Sequence, residues 1–221
     1  MSAAIRFTLD GREVEAQPGE TLWQAAKRLD NELPHLCYTT QPGYRADGNC
    51  RACVVEIEGE RALVASCIRK PTPGMKVKTA SARAESARKM VFELLLADQP
   101  KRGQAHDPDS RFWVWSERLG LGDSRFPARA APQADGSHPA MAVNLDACIA
   151  CNLCVRACRE VQVNDVIGLA YRGHGAKIVF DFDRPMGQST CVGCGECVQA
   201  CPTGALMPST MLDAKGVKSG A

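Results

Sequence analysis

Three observations predict an α+β chain in three parts. An apolar–polar alternation broken by Asp10-Gly11 leads into an amphipathic pattern. A Gly-, Pro- and Ala-rich stretch occupies the middle, and two cysteine runs of identical spacing lie near the end. The expected boundaries are a β-grasp domain at 1–80, a helical connector with an extended linker at 81–140, a pseudo-symmetric metal-binding domain with an inserted hairpin at 141–210, and a tail at 211–221.

Each element has a local reason. Ile5-Arg-Phe-Thr-Leu9 alternates as a strand does, Asp10-Gly11 is a two-residue hairpin turn, and Glu13-Val14-Glu15 begins the return strand. Thr21 and Gln24 form a capping-box pattern that opens a helix over Leu22 to Leu29, with Leu22, Ala25, Ala26 and Leu29 on one face. A cysteine-bearing loop follows through Cys37, Gly43, Gly48, Cys50 and Cys53, and Val54 to Ile57 leaves it as a strand. Hairpin, helix and cysteine loop together make a β-grasp opening. Gly43 and Gly48 are expected to let backbone N–H groups approach bound sulfur. A helix over Ser81 to Ala97 is expected to bury Ala87, Met90, Val91, Leu94 and Leu95. Asp109-Ser110 caps a segment in which Phe112 to Trp115 serve local packing, and residues 120–141 read as an extended connector. Val166 to Tyr171 and Lys177 to Phe182, joined by Gly173-His174-Gly175, read as a hairpin with a solvated His174 at its tip.

The twelve cysteines divide into three quartets with none left over. Cys148, Cys151, Cys154 and Cys158 read C-x2-C-x2-C-x3-C, and Cys191, Cys194, Cys197 and Cys201 repeat it, the second run ending in Pro202. This is the bacterial ferredoxin run, in which three thiolates of one loop hold a [4Fe–4S] cluster and the fourth reaches the other cluster. The expected sets are Cys148, Cys151, Cys154 and Cys201 for one cluster and Cys158, Cys191, Cys194 and Cys197 for the second. Arg159 stands where the second run has Pro202, which concerns the turn and leaves ligation untouched. Zinc also takes four thiolates, but it usually meets two separated C-x2-C knuckles. The first quartet, Cys37, Cys50, Cys53 and Cys67, reads C-x12-C-x2-C-x13-C and fits zinc or a [2Fe–2S] rhombus by spacing alone. The β-grasp context and the later runs favour [2Fe–2S]. The fold class is therefore a β-grasp [2Fe–2S] ferredoxin domain, a helical connector and a bacterial-type two-cluster [4Fe–4S] ferredoxin domain.

Composition narrows the function. The 221 residues carry 27 basic and 25 acidic side chains, a net charge of +2 too small to mark a nucleic-acid binder, and aromatics are only 5%, which argues against stacking platforms. No basic n-region with an apolar stretch opens the chain, and the strongest apolar run, Val91 to Ala97, is too short for a membrane span, so the expected location is cytoplasmic. Thiols kept reduced there serve metals and not disulfides. No phosphate-cradling glycine motif or nucleophile triad stands out, so no catalytic residue is assigned. Of the four histidines, His35 lies two positions before Cys37 and reads as a loop residue with contact to the site as the alternative; His138 carries no signal.

Over its whole length the sequence resembles the electron-input module shared by three groups: the large iron–sulfur subunit of NADH:quinone oxidoreductase, the small diaphorase subunit of NAD-reducing hydrogenase, and the N-terminal region of NAD-dependent formate dehydrogenase alpha subunits. Gly43 to Cys53, Glu93 to Pro100, Asn152 to Asn164 and Cys201 to Pro208 make the formate dehydrogenase alpha subunit, with its molybdenum or tungsten site, the nearest of the three in this reading. The first two groups usually add a His-plus-three-Cys cluster between the domains. No Cys lies between Cys67 and Cys148, and His106 stands in that region without ligand partners in sequence, so that cluster is expected to be absent. The resemblance implies an electron relay with one [2Fe–2S] and two [4Fe–4S] clusters, working between a flavin–NAD(H) diaphorase and a molybdenum- or tungsten-pterin catalytic site. That site would lie further along a longer chain or on a separate subunit. The alternatives are a hydrogenase diaphorase subunit, a stand-alone ferredoxin-like carrier, and, from a different class, a zinc-stabilised interaction module. A succinate dehydrogenase iron–sulfur subunit shares the plan but has tighter first-quartet spacing and a broken later run, neither of which occurs here.

Overall fold

The computed structural model describes residues 4–212; from 213 onward the expected tail lies outside them. The chain divides into two compact units, the first holding 4–38 and 45–92, the second 39–44 and 93–212.

In the first unit, β1 (Arg6–Leu9) and β2 (Arg12–Glu15) form the expected hairpin, with Asp10 and Gly11 both at positive φ, 48° and 83°. Asp10 does more than turn the chain. Its carboxylate accepts from Thr79 N at 2.7 Å, Thr79 Oγ1 at 2.6 Å and Asn31 Nδ2 at 2.9 Å, tying the turn to the far end of the domain. Helix α1 (Leu22–Arg28) begins at Thr21 with both capping-box bonds made and buries Leu22, Trp23, Ala25 and Ala26. Leu29 is its C-cap and is partly exposed, so it leaves the expected face. The strands β3 (Val54–Ile57), β4 (Val64–Ala65) and β5 (Lys76–Lys78) complete a five-stranded sheet ordered β2-β1-β5-β3-β4. β5 runs parallel to β1, with Leu9 opposite Val77, while the other pairs are antiparallel. Phe7, Leu9, Val55, Ile57 and Val77 pack with the apolar residues of α1 into one core that also holds Cys53 and Cys67.

Helix α2 (Ala82–Leu96) starts in this unit, and Ser81 Oγ accepts from Ala84 N at 3.2 Å at its head. Its buried residues are Ala84, Arg88, Phe92 and Leu96, whereas Met90 and Leu94 are exposed. This corrects the expected stripe. The helix has two apolar faces, and the richer one in sequence lost because Arg88 makes the other buriable: its Nε donates to Ala84 O at 3.3 Å and its Nη2 to Thr79 O, satisfying a cation that burial disfavours.

The second unit contains α3 (Arg111–Arg118), α4 (Leu153–Arg156) and α5 (Glu196–Ala200). β6 (Met141–Val143) pairs antiparallel with β9 (Leu206–Pro208), joining the two ends of the cysteine-bearing repeat. β7 (Ile167–Ala170) and β8 (Lys177–Phe180) form the expected hairpin between the halves, with Gly173–Gly175 as a 3-10 turn at the tip. Residues 120–140 are extended and pinned by polar contacts. Arg129 N donates to Asp98 Oδ1 at 2.9 Å, its Nη2 donates to Leu145 O at 3.1 Å, and Asp135 and Val143 exchange backbone bonds of 2.8 and 2.9 Å. Ser110 precedes α3 as expected, yet its side chain makes no cap bond and its Oγ is buried without a partner.

Candidate iron–sulfur centres

The first quartet is placed by α1 and the sheet. The opening N–H groups of α1, those of Leu22 and Trp23, donate to Arg69 O at 2.8 Å and Ser66 O at 3.0 Å, fixing the turn that carries Cys67. Trp23 Nε1 donates to Leu33 O at 3.1 Å, and the Trp23 ring meets Tyr38 edge-on at 4.9 Å, which bounds the chain on both sides of Cys37. Gly48, at φ 65°, turns the loop so tightly that a Cβ there would stand 2.9 Å from Ile68 Cδ1. The following N–H groups then face sulfur: Asn49 and Cys50 donate to Cys37, while Ala52 and Cys37 donate to Cys50. Gly48 thus acts as expected, through the turn it permits, by letting the N–H groups that follow it approach sulfur.

The four sulfurs are linked in sequence of contact, Cys50 to Cys37, Cys37 to Cys67 and Cys67 to Cys53. Hydrogen bonds from Cys50 and Cys67 draw the Cys37 thiol far below its ordinary value, and a bond from Cys67 draws Cys53 down to about 7. The reciprocal bonds, together with burial, drive Cys50 and Cys67 up. By themselves the four thiols cannot all ionise side by side, whereas coordination to iron deprotonates a thiol outright. Cys37, Cys53 and Cys67 are buried and Cys50 is half-buried.

The two later runs repeat one backbone device. Ala150 and Gly193 hold positive φ, 50° and 72°, and each N–H donates to the sulfur two residues earlier, Cys148 or Cys191, at 3.4 Å. Asn152 and Gly195 are again left-handed and open α4 and α5. Each loop therefore curls around its own first sulfur before a short helix begins. The runs differ at their fourth cysteine. After Cys158 the chain continues through a π-helical turn, Ala157–Val161, with Gln162 N bonded to Ala157 O at 3.0 Å, while α5 stops at Cys201. This explains Arg159 in place of proline: the turn continues through that position.

Cys148, Cys151, Cys154 and Cys201 line one small apolar pocket together with Leu145, Ile149, Ile178 and Leu206. Burial pushes Cys148 up to about 11 and Cys154 well above its ordinary value, and the neighbouring sulfurs of this same group add to both shifts. Burial likewise pushes Cys197 up to about 12, reinforced by Cys191, Cys194 and Cys158, and burial first, with Cys194 and Cys158 adding to it, raises Cys191. Val166 N donates to Cys158 Sγ at 3.3 Å. Cys194 is the one exposed cysteine of the twelve, and all twelve are free thiols. Thiol sets enclosed by apolar side chains and met by backbone N–H groups suit iron–sulfur clusters, which accept such bonds and bind through thiolate.

The histidines divide by environment. His35 packs edge-on against Trp23 at 4.7 Å and faces Leu33 O, His138 Nδ1 accepts from Ala140 N at 3.2 Å, and His174 is exposed at the hairpin tip. His106 is buried, bonds Gly204 O through Nε2, and is held below its ordinary pKa by burial. Several polar residues near the cysteines went unmarked in sequence. Tyr44 Oη donates to Glu196 Oε1 at 2.8 Å, so the segment 39–44, drawn from the loop between Cys37 and Cys50, meets the helix that carries Cys197. Buried Arg156 donates to Cys151 O at 3.3 Å, and Arg129 to Cys148 O at 3.3 Å. Arg111 is half-buried at the head of α3, next to Phe112, whose N–H donates to Pro202 O at 3.1 Å. Single charges have no spacing rule, and only the fold brings them to the sulfurs.

Residues 2–82 match a family described as a 2Fe-2S iron-sulfur cluster binding domain, and residues 147–205 match a 4Fe-4S dicluster domain. The chain is 35% identical over 209 residues to an NADP-reducing hydrogenase component, HndD, of Solidesulfovibrio fructosivorans, covering 92% of this chain and 36% of that protein. It is 34% identical over 213 residues to a component of the NADH-quinone oxidoreductase of Rhizobium meliloti (strain 1021), covering 92% of this chain and 24% of the relative. It is 28% identical over 216 residues to "Putative formate dehydrogenase SH0748" of Staphylococcus haemolyticus (strain JCSC1435), covering 96% of this chain and 21% of the relative. The chain thus spans about a third or less of these curated relatives. Among solved structures, a chain of an NAD+-reducing [NiFe]-hydrogenase in the H2-reduced state superimposes with a TM-score of 0.79 at 28% identity, over 97% of this chain and 89% of that one. The chain therefore carries a 2Fe-2S cluster-binding domain followed by a 4Fe-4S dicluster domain, and over most of its length it is homologous to parts of these hydrogenase, NADH-quinone oxidoreductase and formate dehydrogenase proteins.

Proposed function

We propose that this chain relays single electrons between a flavin–NAD(H) diaphorase and a molybdenum- or tungsten-pterin formate dehydrogenase site, through one [2Fe–2S] and two [4Fe–4S] clusters. Cys37, Cys50, Cys53 and Cys67 would hold the first; Cys148, Cys151, Cys154 and Cys201 the second; Cys158, Cys191, Cys194 and Cys197 the third. When bound, each cluster takes up and gives away one electron at a time. The residues of the chain hold thiolates in place, donate N–H bonds to sulfur and keep water from the buried sets. The observation that carries the crossed ligand sets is the cavity shared by Cys201 with the three cysteines of the other run. The formate assignment rests on the motifs around Cys50, Glu93, Asn152 and Cys201 and on a relative whose printed name is a formate dehydrogenase.

Anoxic purification of the tagged chain from its native host tests the reading. A flavoprotein and a molybdenum or tungsten protein should co-elute, and formate should reduce the clusters of the complex. Elution alone would contradict the relay between partners. The higher identity to the hydrogenase component favours a second reading, a hydrogenase diaphorase component, which predicts a nickel–iron or iron partner and reduction by hydrogen.

A further inference from the structure

The head of α3 lies against the turn that follows Cys201. Phe112 N donates to Pro202 O at 3.1 Å, His106 Nε2 bonds Gly204 O, and a Cβ on Gly204 would stand 2.8 Å from Asp107 Cβ. These contacts hold Arg111, the first residue of α3, in a fixed place beside the Cys201–Pro202 turn. Its half-buried side chain lines a polar cavity with Tyr44, Glu196 and Gln199, and the sulfurs whose charge it feels are Cys151 and Cys201. Burial works against the guanidinium charge, but arginine stays protonated in proteins. A charge withdrawn from bulk water also acts on its neighbours more strongly than one at the surface.

We propose that Arg111 is a tuning charge that raises the reduction potential of the cluster framed by Cys148, Cys151, Cys154 and Cys201, an inference that rests on the ligand sets above. Reduction adds one negative charge within reach of the guanidinium, and their attraction favours the reduced form. Arg129, donating to Cys148 O, acts in the same sense. The other set has an acid, Asp181, near Cys191, the first cysteine of its run. Asp181, accepting from Thr190 N at 2.7 Å and Thr190 Oγ1 at 3.1 Å, is held there, whereas Glu196 lies on the Arg111 cavity.

Anoxic redox titration followed by paramagnetic resonance tests this on the intact chain and its variants R111Q, R111K and D181N, each checked for unchanged iron and sulfide content. R111Q should move one [4Fe–4S] midpoint to more negative potential by about tenfold in the one-electron equilibrium, about 59 mV, and leave the other in place. R111K, which keeps the charge, should stay near the parent, and D181N should move the other midpoint upward. Unmoved midpoints in R111Q at full iron content would overturn the proposal, as would equal shifts in R111Q and R111K. If R111Q and D181N move the same midpoint, the ligand sets fail while the charge effect stands. Should R111Q lose iron, Arg111→Met removes the same charge with a different side chain.

Discussion

Cys201 belongs by sequence to one run and shares a pocket with three cysteines of the other, which makes it the most informative residue to change. Cys201→Ser is expected to damage the cluster held mainly by Cys148, Cys151 and Cys154, read as loss of that resonance signal with the Cys191 signal retained; the reverse pattern would exclude crossed ligation. The cysteine quartets stand out in the sequence because a cluster would impose its own spacing on the loop that wraps it. The left-handed pair at Ala150 and Gly193 was legible only in part: Gly193 hints at positive φ, while Ala150 holds φ 50° with no glycine to announce it. Tyr44, Arg111 and Glu196 could not be assigned from sequence, since the pairing of Tyr44 with Glu196 joins residues 152 positions apart. His106 drew notice for its region, and what it does is bond Gly204 O.

Elements announced by local chemistry were the readable ones. The capping box at Thr21 and Gln24 is present in full, and its removal by Thr21→Ala should cost about 1 kcal/mol, measured by chemical denaturation of the holoprotein. The cost should appear in the first unit because α1 presents its first N–H groups to the Cys67 turn. The π-helical turn after Cys158 gives a second prediction. Arg159→Pro restores the residue seen after Cys201 yet should destabilise the protein by about 3 kcal/mol and lower the occupancy of the Cys158 cluster, read as iron content after mild chelation. Unchanged stability would mean that the turn is incidental. Two elements were opaque for physical reasons. β5 is three residues long and gains its place from a parallel partner about 70 positions away, which no local pattern records. In α2 the apolar count favoured the wrong face, because an arginine that reaches backbone carbonyls can be buried at lower cost than its class suggests.

At the scale of the whole molecule, the two units have separate cores, each containing cysteines of its own sets: Cys53 and Cys67 in one, Cys154, Cys158 and Cys197 in the other. Cys50→Ser is therefore expected to abolish the [2Fe–2S] signal and leave both [4Fe–4S] signals, and loss of all three would show that the units do not fold independently. The order of the two domains was legible from the cysteine runs and the hairpin. The assignment of residues 39–44 to the second unit was not, because those residues lie between two cysteines of the first. The central claim is that three thiolate quartets hold redox clusters and not structural zinc. The measurement that tests it most directly is the iron, zinc and acid-labile sulfide content of the anoxically purified chain, with paramagnetic resonance of the reduced sample. The account predicts about ten irons, matching sulfide, one [2Fe–2S] signal and two interacting [4Fe–4S] signals. About three zincs without sulfide would contradict it.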